Sequence, residues 1–180
     1  MRVITGKARG VVLNTPNGLQ TRPTADRVKE ALFSIIQFDI PGARVLDLFS
    51  GTGQMGIEAL SRGATFGVFV DQATKAVDVT TKNLKSCGLF DKARVVNMNS
   101  QDFLRTTKDK FDIVFLDPPY NMGILDEILP KVCEILSDDG IIIAESELGW
   151  KPEDIDGLKL KKQYKYGKVL VSKFQKESQQ

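Results

Sequence analysis

The turn from Asp47 to Gly56, DLFSGTGQMG, carries the clearest chemical pattern of the chain. Its glycines have the G-x-G-x-x-G spacing, starting at Gly51, which lets the backbone approach a ligand closely. Asp71 follows Gly51 by twenty residues, and an acid at that separation can accept hydrogen bonds from both hydroxyls of a ribose. The pattern therefore predicts an adenosine-containing ligand at this turn.

The glycine spacing alone fits both a dinucleotide and S-adenosylmethionine, and Asp47 separates the two. A pyrophosphate beside this carboxylate would be repelled by about 4 kcal/mol, for unit charges about 4 Å apart at an effective dielectric constant of about 20. S-adenosylmethionine instead brings a sulfonium and an ammonium, which the carboxylate attracts. The residues favour S-adenosylmethionine, and the alternative for Asp47 is a carboxylate that only caps the following turn. The predicted cofactor contacts here are Asp47, Phe49, Ser50, Gly51, Gly53, Met55, Gly56, Asp71 and Gln72.

A second motif, Asp117-Pro118-Pro119-Tyr120, follows the apolar segment FDIVFL. Two consecutive prolines remove two N–H donors and hold the backbone carbonyls rigidly, and the tyrosine ring can stack on a nucleobase. We predict that these four residues are catalytic, with the Asp117 carboxylate and the Pro118 carbonyl accepting the hydrogens of an aromatic amino group. Asp117 is also a predicted cofactor contact. Those bonds raise the electron density on the nitrogen, and the pocket aligns it with the methyl group. The alternative is that this motif has no chemical role and only terminates the strand before it.

Composition excludes several other chemistries. The chain has no histidine, so Ser-His-Asp and Cys-His catalysis and His-ligated metals are ruled out. Cys87 and Cys133 are far apart and belong to no CxxC motif, so we expect neither a disulfide framework nor a metal site. No apolar run reaches the length of a membrane helix, and the N-terminus lacks a secretory pattern. We therefore expect a cytoplasmic monomer without a membrane contact.

Charge is distributed unevenly although the net charge is only +2. Residues 1–30 have a net charge of +4, residues 31–158 of −8 and residues 159–180 of +6. The N-terminal basic residues favour contact with nucleic acid. For the C-terminal lysines, contact with a polyanion and protection of an edge strand against aggregation are equally open. The predicted RNA contacts in the first thirty residues are Arg2, Lys7, Arg9, Arg22, Thr24 and Arg27; Thr24 enters only through the family resemblance given below.

The elements that position these motifs follow from hydrophobic periodicity. Two short strands at residues 2–4 and 10–13 are expected to form a small N-terminal β-hairpin. A turn at Pro16-Asn17-Gly18 then precedes a helix that Thr24 is expected to cap. Strands and helices then alternate, which predicts an α/β fold with a mostly parallel seven-stranded sheet and helices on both faces. Residues 159–174, alternating around Gly167, predict an antiparallel C-terminal hairpin. A helix containing Pro130 is expected to be kinked or to start late.

The whole chain resembles the bacterial RsmD family of class I S-adenosylmethionine-dependent methyltransferases, a Rossmann-like fold. The resemblance is carried by TRPTADRVKEALF from Thr21, LDLFSGTG from Leu46, EALSRGA from Glu58 and Asp117 to Tyr120. It implies a basic N-terminal extension over residues 1–40 and a methyltransferase domain over residues 41–180. It also implies methylation of the N2 amino group of a guanine in the helix 31 loop of 16S rRNA, on the small ribosomal subunit or its assembly intermediate.

The resemblance implies further residue roles, and the chain departs from the family pattern at two of them. Asn99 and Ser100 would lie beside the adenine, and Arg22, Thr24 and Arg27 on the RNA side. Relatives commonly carry glutamate at the position of Asp71 and aspartate at that of Asn99, which puts the adenosine contacts in doubt. Three alternatives stay open: methylation of another nucleobase amine such as adenine N6, a dinucleotide-dependent oxidoreductase, and a nonenzymatic RNA-binding or assembly factor.

Overall fold

The structure is a computed structural model that describes residues 1–15, 23–119 and 123–177. Within these ranges the chain forms five α-helices, seven strands and a short 3-10 helix at Phe90–Lys92. The elements are α1 (Pro23–Ile35), β1 (Arg44–Asp47), α2 (Gln54–Ser61), β2 (Phe66–Asp71), α3 (Thr74–Ser86), β3 (Ala93–Asn97), α4 (Ser100–Thr106), β4 (Phe111–Leu116), α5 (Ile124–Ile135), β5 (Leu136–Glu147), β6 (Leu158–Tyr166) and β7 (Val169–Lys176).

The seven described strands form one sheet in the order β3-β2-β1-β4-β5-β7-β6. Strands β1 to β5 are parallel, and β7 pairs antiparallel with both β5 and β6. Chain order reverses between β1 and β4, so their carboxyl ends open a crevice where α/β sheets bind ligands. This topology confirms the predicted fold class, including the C-terminal hairpin.

Side chains alternate between the two faces of the sheet and so build two cores. On one face, Val45, Phe69 and Phe115 pack with residues of α1, α2 and α3. On the other face, Leu46 and Val114 pack with residues of α4 and α5. Helices therefore cover both faces of the sheet, as the alternation of elements predicted.

The N-terminal segment (residues 1–15) packs against the same core as α1 and α2, through Val3, Ala8 and Leu13. The predicted hairpin is reduced to a single antiparallel bridge between Arg2 and Val12, with flanking backbone hydrogen bonds. The turn predicted at residues 16–18 lies outside the described residues. The extension thus shares its hydrophobic core with the sheet.

The prediction for the start of α1 was wrong, and one of the two alternatives for α5, the late start, does not hold. Thr24 does not cap α1, because the helix already begins at Pro23; a proline suits the first helical position, where its missing N–H has no intrahelical partner. Helix α5 does not start late, since it begins at Ile124 and continues past Pro130. Pro130 is exposed, so water can satisfy the carbonyl that loses its backbone partner.

Among the described helices, none combines the length and apolarity needed to cross a membrane.

Candidate active site

The loop between β1 and α2 is built by glycines with different tasks. Gly51 and Gly53 have φ of +52° and +77°, a left-handed conformation that favours glycine. A Cβ atom on Gly51 would meet nothing within 4 Å, so this position is open to a ligand. A Cβ on Gly56 would lie 2.3 Å from the Phe69 ring, so this glycine permits close packing of α2 on β2. Only the first part of the glycine motif therefore faces open space.

Asp47 lies beneath the loop at the end of β1 and is 3% exposed. Its Oδ2 accepts a hydrogen bond from the Gly56 N–H at 3.0 Å. Burial raises the pKa of this carboxyl to about 7; the Gly56 N–H opposes the shift and the charge of Asp71 adds to it. Asp47 therefore caps the turn, which was the alternative interpretation of this residue from the sequence. Because its pKa is about 7, its carboxyl is only partly ionised near neutral pH.

Asp71, at the end of β2, also binds backbone donors. Its Oδ2 accepts from the Gly51 N–H at 2.9 Å and its Oδ1 from the Ala73 N–H at 2.8 Å. The carboxylate holds the glycine loop against the end of β2, beside the position predicted for a ribose. Gln72 follows it and is exposed, while Phe49 and Met55 are half-buried and pack against opposite cores.

The residues after β3 border the same edge of the sheet. Asn99 caps α4 by accepting from the Asp102 N–H at 2.8 Å, and Ser100 is the first residue of that helix. Asn97 donates to the carbonyls of Asp71 and Gln72, both at 3.0 Å, a contact that the sequence reasoning missed. Asn97 is the last residue of β3, and this polar residue at the carboxyl end of a strand was the available signal.

Helix α3 supports the glycine loop from below, which sequence reasoning also missed. The Thr80 hydroxyl donates to the Gly51 carbonyl at 3.0 Å. The fully buried Asn83 donates to the Thr52 carbonyl at 2.8 Å and to the Asn14 carbonyl at 3.1 Å. Its Oδ1 accepts from the Asn14 N–H at 2.7 Å. Asn83 therefore joins the N-terminal segment directly to the glycine loop.

Asp117 follows β4 immediately, beside the crevice. Its side chain retains solvent contact although protein atoms surround it closely. Desolvation, together with the negative charges of Glu145 and Asp47, raises the pKa of the Asp117 carboxyl. Tyr120, the fourth residue of the motif, lies outside the described residues.

Pro118 and Pro119 line a small pocket that also contains Glu145, Ser146 and Trp150. Pro118 is buried and Pro119 is exposed. The Trp150 indole donates to the carboxylate of Asp126 at 3.2 Å, so the pocket wall is held from α5. The pocket lies between the two prolines and the end of β5.

The predicted RNA contacts separate into different groups. Arg2, Arg9 and Arg27 line one groove of about 310 Å³, and all three are exposed. Lys7 is exposed but does not line this groove. Arg22 lies outside the described residues, and of Thr24 only the backbone position in α1 is described. The structure thus brings three of the predicted basic residues together.

Glu58 holds this basic region onto α2. The carboxylate is completely buried and accepts from the Ile4 and Thr5 N–H groups at 2.9 and 3.0 Å. Arg62 donates to it at 2.8 Å, and the Lys29 ammonium lies 3.5 Å from it. Lys29 also donates to the Arg2 carbonyl at 2.8 Å. This charge network therefore fixes the backbone of residues 2–5 against α2.

Metal ligation finds no support in the residues described. No three His, Cys, Asp or Glu side chains in that part of the chain lie close enough together to hold a metal ion. The absence of a metal stays a prediction of the sequence.

Comparison with known proteins covers nearly the whole chain. The family model described as Conserved hypothetical protein 95 matches residues 1–175. The putative rRNA methyltransferase YlbH of Bacillus subtilis is 38% identical, over 98% of this chain and 99% of that protein. Ribosomal RNA small subunit methyltransferase D of Escherichia coli is 35% identical, over 99% of this chain and 91% of that protein.

Two solved structures resemble this chain over nearly its whole length. A putative methyltransferase, yhhF from Escherichia coli, superposes with a TM-score of 0.90 at 33% identity, over 99% of each chain. A putative methylase, HI0767 from Haemophilus influenzae, superposes with a TM-score of 0.83 at 31% identity, over 98% of each chain. These likenesses confirm the predicted Rossmann-like methyltransferase fold.

Proposed function

The chain belongs to the RsmD family, described as Conserved hypothetical protein 95, and on this premise we propose that it methylates 16S rRNA. The donor is S-adenosylmethionine, and the acceptor is the N2 amino group of a guanine in the helix 31 loop of the small ribosomal subunit. The partner is this rRNA in the subunit or an assembly intermediate, in the cytoplasm. Relatives named as rRNA methyltransferases, aligned over nearly the whole chain, support the substrate class.

The glycine loop fits the proposed cofactor. Open space lies above Gly51, and beside it the buried Ser50 hydroxyl has no hydrogen-bond partner among the described residues. S-adenosylmethionine, when bound, supplies an electrophilic methyl group on a sulfonium. The nearby Asp47 carboxyl, which is partly protonated in the free protein, ionises more readily beside a cation. The loop therefore gains negative charge when it binds a positively charged ligand.

The observation that carries the choice of guanine is the pairing of Asp117 with Glu145. Leu116 and Ala144 are register partners on the parallel strands β4 and β5, and the two acids are the next residues on these strands. Adjacent strands lie about 4.8 Å apart, so both carboxyl groups belong to one corner of the crevice. Their proximity is also seen in the charge of Glu145 raising the pKa of Asp117.

Two neighbouring carboxylates match the Watson–Crick edge of guanine. That edge presents two adjacent donors, N1–H and the N2 amino group, and ionised carboxylates are acceptors only. Adenine presents its amino group next to N1, a lone pair that would face the second carboxylate without a hydrogen. An unmade hydrogen bond at a desolvated charged group costs about 1–3 kcal/mol, which corresponds to about fivefold to 150-fold in selectivity. The pair therefore favours guanine N2 over adenine N6.

Asp117 also has the proton affinity that the reaction needs. Methyl transfer leaves the nitrogen cationic, with a surplus proton. A carboxylate with a raised pKa accepts such a proton more readily than an ordinary one. Pro118, which has no N–H, leaves its carbonyl beside Asp117 as a second acceptor for the amino group. No histidine is required for this step.

The proposal is tested by supplying labelled S-adenosylmethionine and three substrates: unmethylated small subunits, free 16S rRNA and DNA. We expect label in the rRNA of the subunits. Label confined to DNA, or transfer to adenine in any substrate, would overturn the proposal. The Asp117→Asn variant is the matched control, since it retains an acceptor oxygen but loses the base, and it should bind the cofactor without turnover.

A further inference from the structure

The turn of the β6–β7 hairpin carries a second exposed basic surface, and we propose that Lys165 and Lys168 bind rRNA phosphates beside the target base. This inference rests on the proposed function and assigns RNA contacts on the side of the pocket away from the cofactor. The surface, called the hairpin tip, consists of residues 165–168. Its register in the sheet, its unpaired charge and its place beside the catalytic crevice support the assignment.

Charge is concentrated in this hairpin. Residues 159–180 contain seven lysines and one glutamate. Two lysines are engaged: Lys173 forms an ion pair with Asp39, and Lys176 donates to the Leu136 carbonyl. The other five are exposed, and within the described part of the chain none of them forms an ion pair; they are Lys159, Lys161, Lys162, Lys165 and Lys168.

The register places the tip at the level of the catalytic residues. Leu116 on β4 pairs with Ala144 on β5, which pairs with Ser172 on β7, which pairs with Gln163 on β6. Asp117 lies one residue beyond this row and Lys165 lies two residues beyond it. Three strand spacings of about 4.8 Å separate β4 from β6, so the tip lies roughly 14 Å across the sheet from the pocket.

This distance suits the RNA around a flipped base rather than the base itself. Nucleotides flanking the target must leave the pocket along the carboxyl edge of the sheet. The groove of Arg2, Arg9 and Arg27 lies with α1 and the N-terminal segment. The hairpin tip lies beyond β5 and β7. The lysines of the hairpin tip therefore give the RNA backbone a second contact, separate from the N-terminal groove.

Protection of the edge strand is the competing explanation, since β6 is the edge of the sheet and lysines on edges oppose aggregation. The chain contains its own control. Lys159 pairs with Gln175, which pairs with Ile141, the first residue of β5 in register with β7. Lys159 and Lys161 therefore lie toward the amino-terminal edge of the parallel strands, away from the pocket. Edge protection treats both ends of β6 alike, whereas RNA binding near the pocket involves the tip alone.

The test compares a double variant of the tip, Lys165→Ala with Lys168→Ala, with the control pair Lys159→Ala with Lys161→Ala. Both remove two positive charges from the same hairpin. Affinity for unmethylated small subunits is measured over a salt series, alongside KM and kcat. We expect the plot of log K against log salt concentration to be less steep for the tip variant, with the slope reduced by about 1 for each lysine removed. KM should rise and kcat change little, while the control pair stays close to wild type.

The arginine version, Lys165→Arg with Lys168→Arg, should restore the slope because it keeps both charges. Equal effects of the tip and control pairs, or a tip variant with the wild-type slope, would overturn the inference. In both of those results the wild-type enzyme still methylates rRNA, so the proposed function stands. If the wild type transfers no methyl group to rRNA, the proposed function fails, and the hairpin assignment fails with it.

Discussion

Replacing the buried Asp47 by asparagine should have two opposite effects. The stability of the protein relative to wild type should increase with pH, and the affinity for the cofactor should decrease. The carboxyl has its pKa raised from 3.8 to about 7, chiefly by burial. The folded state therefore binds this proton more tightly than the unfolded state, and the associated stability is lost as the pH rises from about 4 to about 7. At about 1.4 kcal/mol for each pH unit, the full loss is on the order of 4 kcal/mol.

The Asp47→Asn variant cannot ionise at this position, yet its side-chain oxygen can still accept from the Gly56 N–H. Its stability relative to wild type should therefore increase between pH 5 and pH 8, by roughly 2–3 kcal/mol. For a chain of this size that corresponds to roughly 5–10 °C in Tm. Thermal unfolding of both proteins at the two pH values measures the change, and any fixed cost of the buried amide cancels in the comparison.

Cofactor binding should change in the opposite direction. A cationic charge roughly 8 Å from the carboxylate is attracted by about 2 kcal/mol at an effective dielectric constant of about 20, so the variant should bind S-adenosylmethionine about thirtyfold more weakly at pH 8. S-adenosylhomocysteine lacks the sulfonium and should lose less affinity. Titration calorimetry with both ligands separates the two contributions.

Asp112→Asn is the matched control, because the Asp112 carboxylate also accepts a backbone N–H, from Arg44 at 2.8 Å, but lies at the other end of the strands. It should leave the affinity for S-adenosylmethionine unchanged. The reasoning about Asp47 is refuted if the Tm difference of Asp47→Asn is the same at pH 5 and pH 8. It is refuted equally if the variant binds both ligands as wild type does.

Tyr120→Ala should remove most turnover while cofactor affinity in calorimetry stays nearly intact; a parallel loss of both would contradict its role as a stacking residue. Glu145→Gln should lower guanine methylation about fivefold to 150-fold and reduce the preference for guanine over adenine in competition assays, whereas an unchanged preference would rule out the carboxylate pair. Arg9→Ala with Arg27→Ala should reduce the salt slope of RNA binding by about 1 per residue, and a wild-type slope would speak against the N-terminal groove. Asn83→Ala should lower the free energy of unfolding in urea by about 2–4 kcal/mol and should also weaken cofactor binding. A loss of stability with unchanged cofactor affinity would show that Asn83 has only a structural role.

Local patterns in the sequence predicted the scaffold well. The strand before the glycine loop and the acid after the next strand are encoded within about thirty residues, where hydrophobic alternation and glycine spacing are direct signals. The same holds for the hairpin around Gly167, whose φ of +61° explains the glycine at the turn. These features depend on neighbours in the chain and so could be predicted from it.

The support of the site depends on contacts between distant segments and could not be predicted in that way. Asn14 and Asn83 are 69 residues apart, and Glu58 is 54 residues from Ile4. Glu58 was part of a recognised motif, but a buried acid looks the same in sequence as an exposed one on a helix. The direction in which Asp47 points was equally hidden, since both a ligand and a backbone N–H attract a carboxylate at the end of a strand.

The central claim is that this protein methylates a guanine amino group of 16S rRNA. Small subunits from cells lacking the modification can be treated with the pure protein and isotopically labelled S-adenosylmethionine, and the rRNA nucleosides then analysed by mass spectrometry. We expect labelled N2-methylguanosine at one position in the helix 31 loop. Labelled N6-methyladenosine, or rRNA without any label, would contradict it.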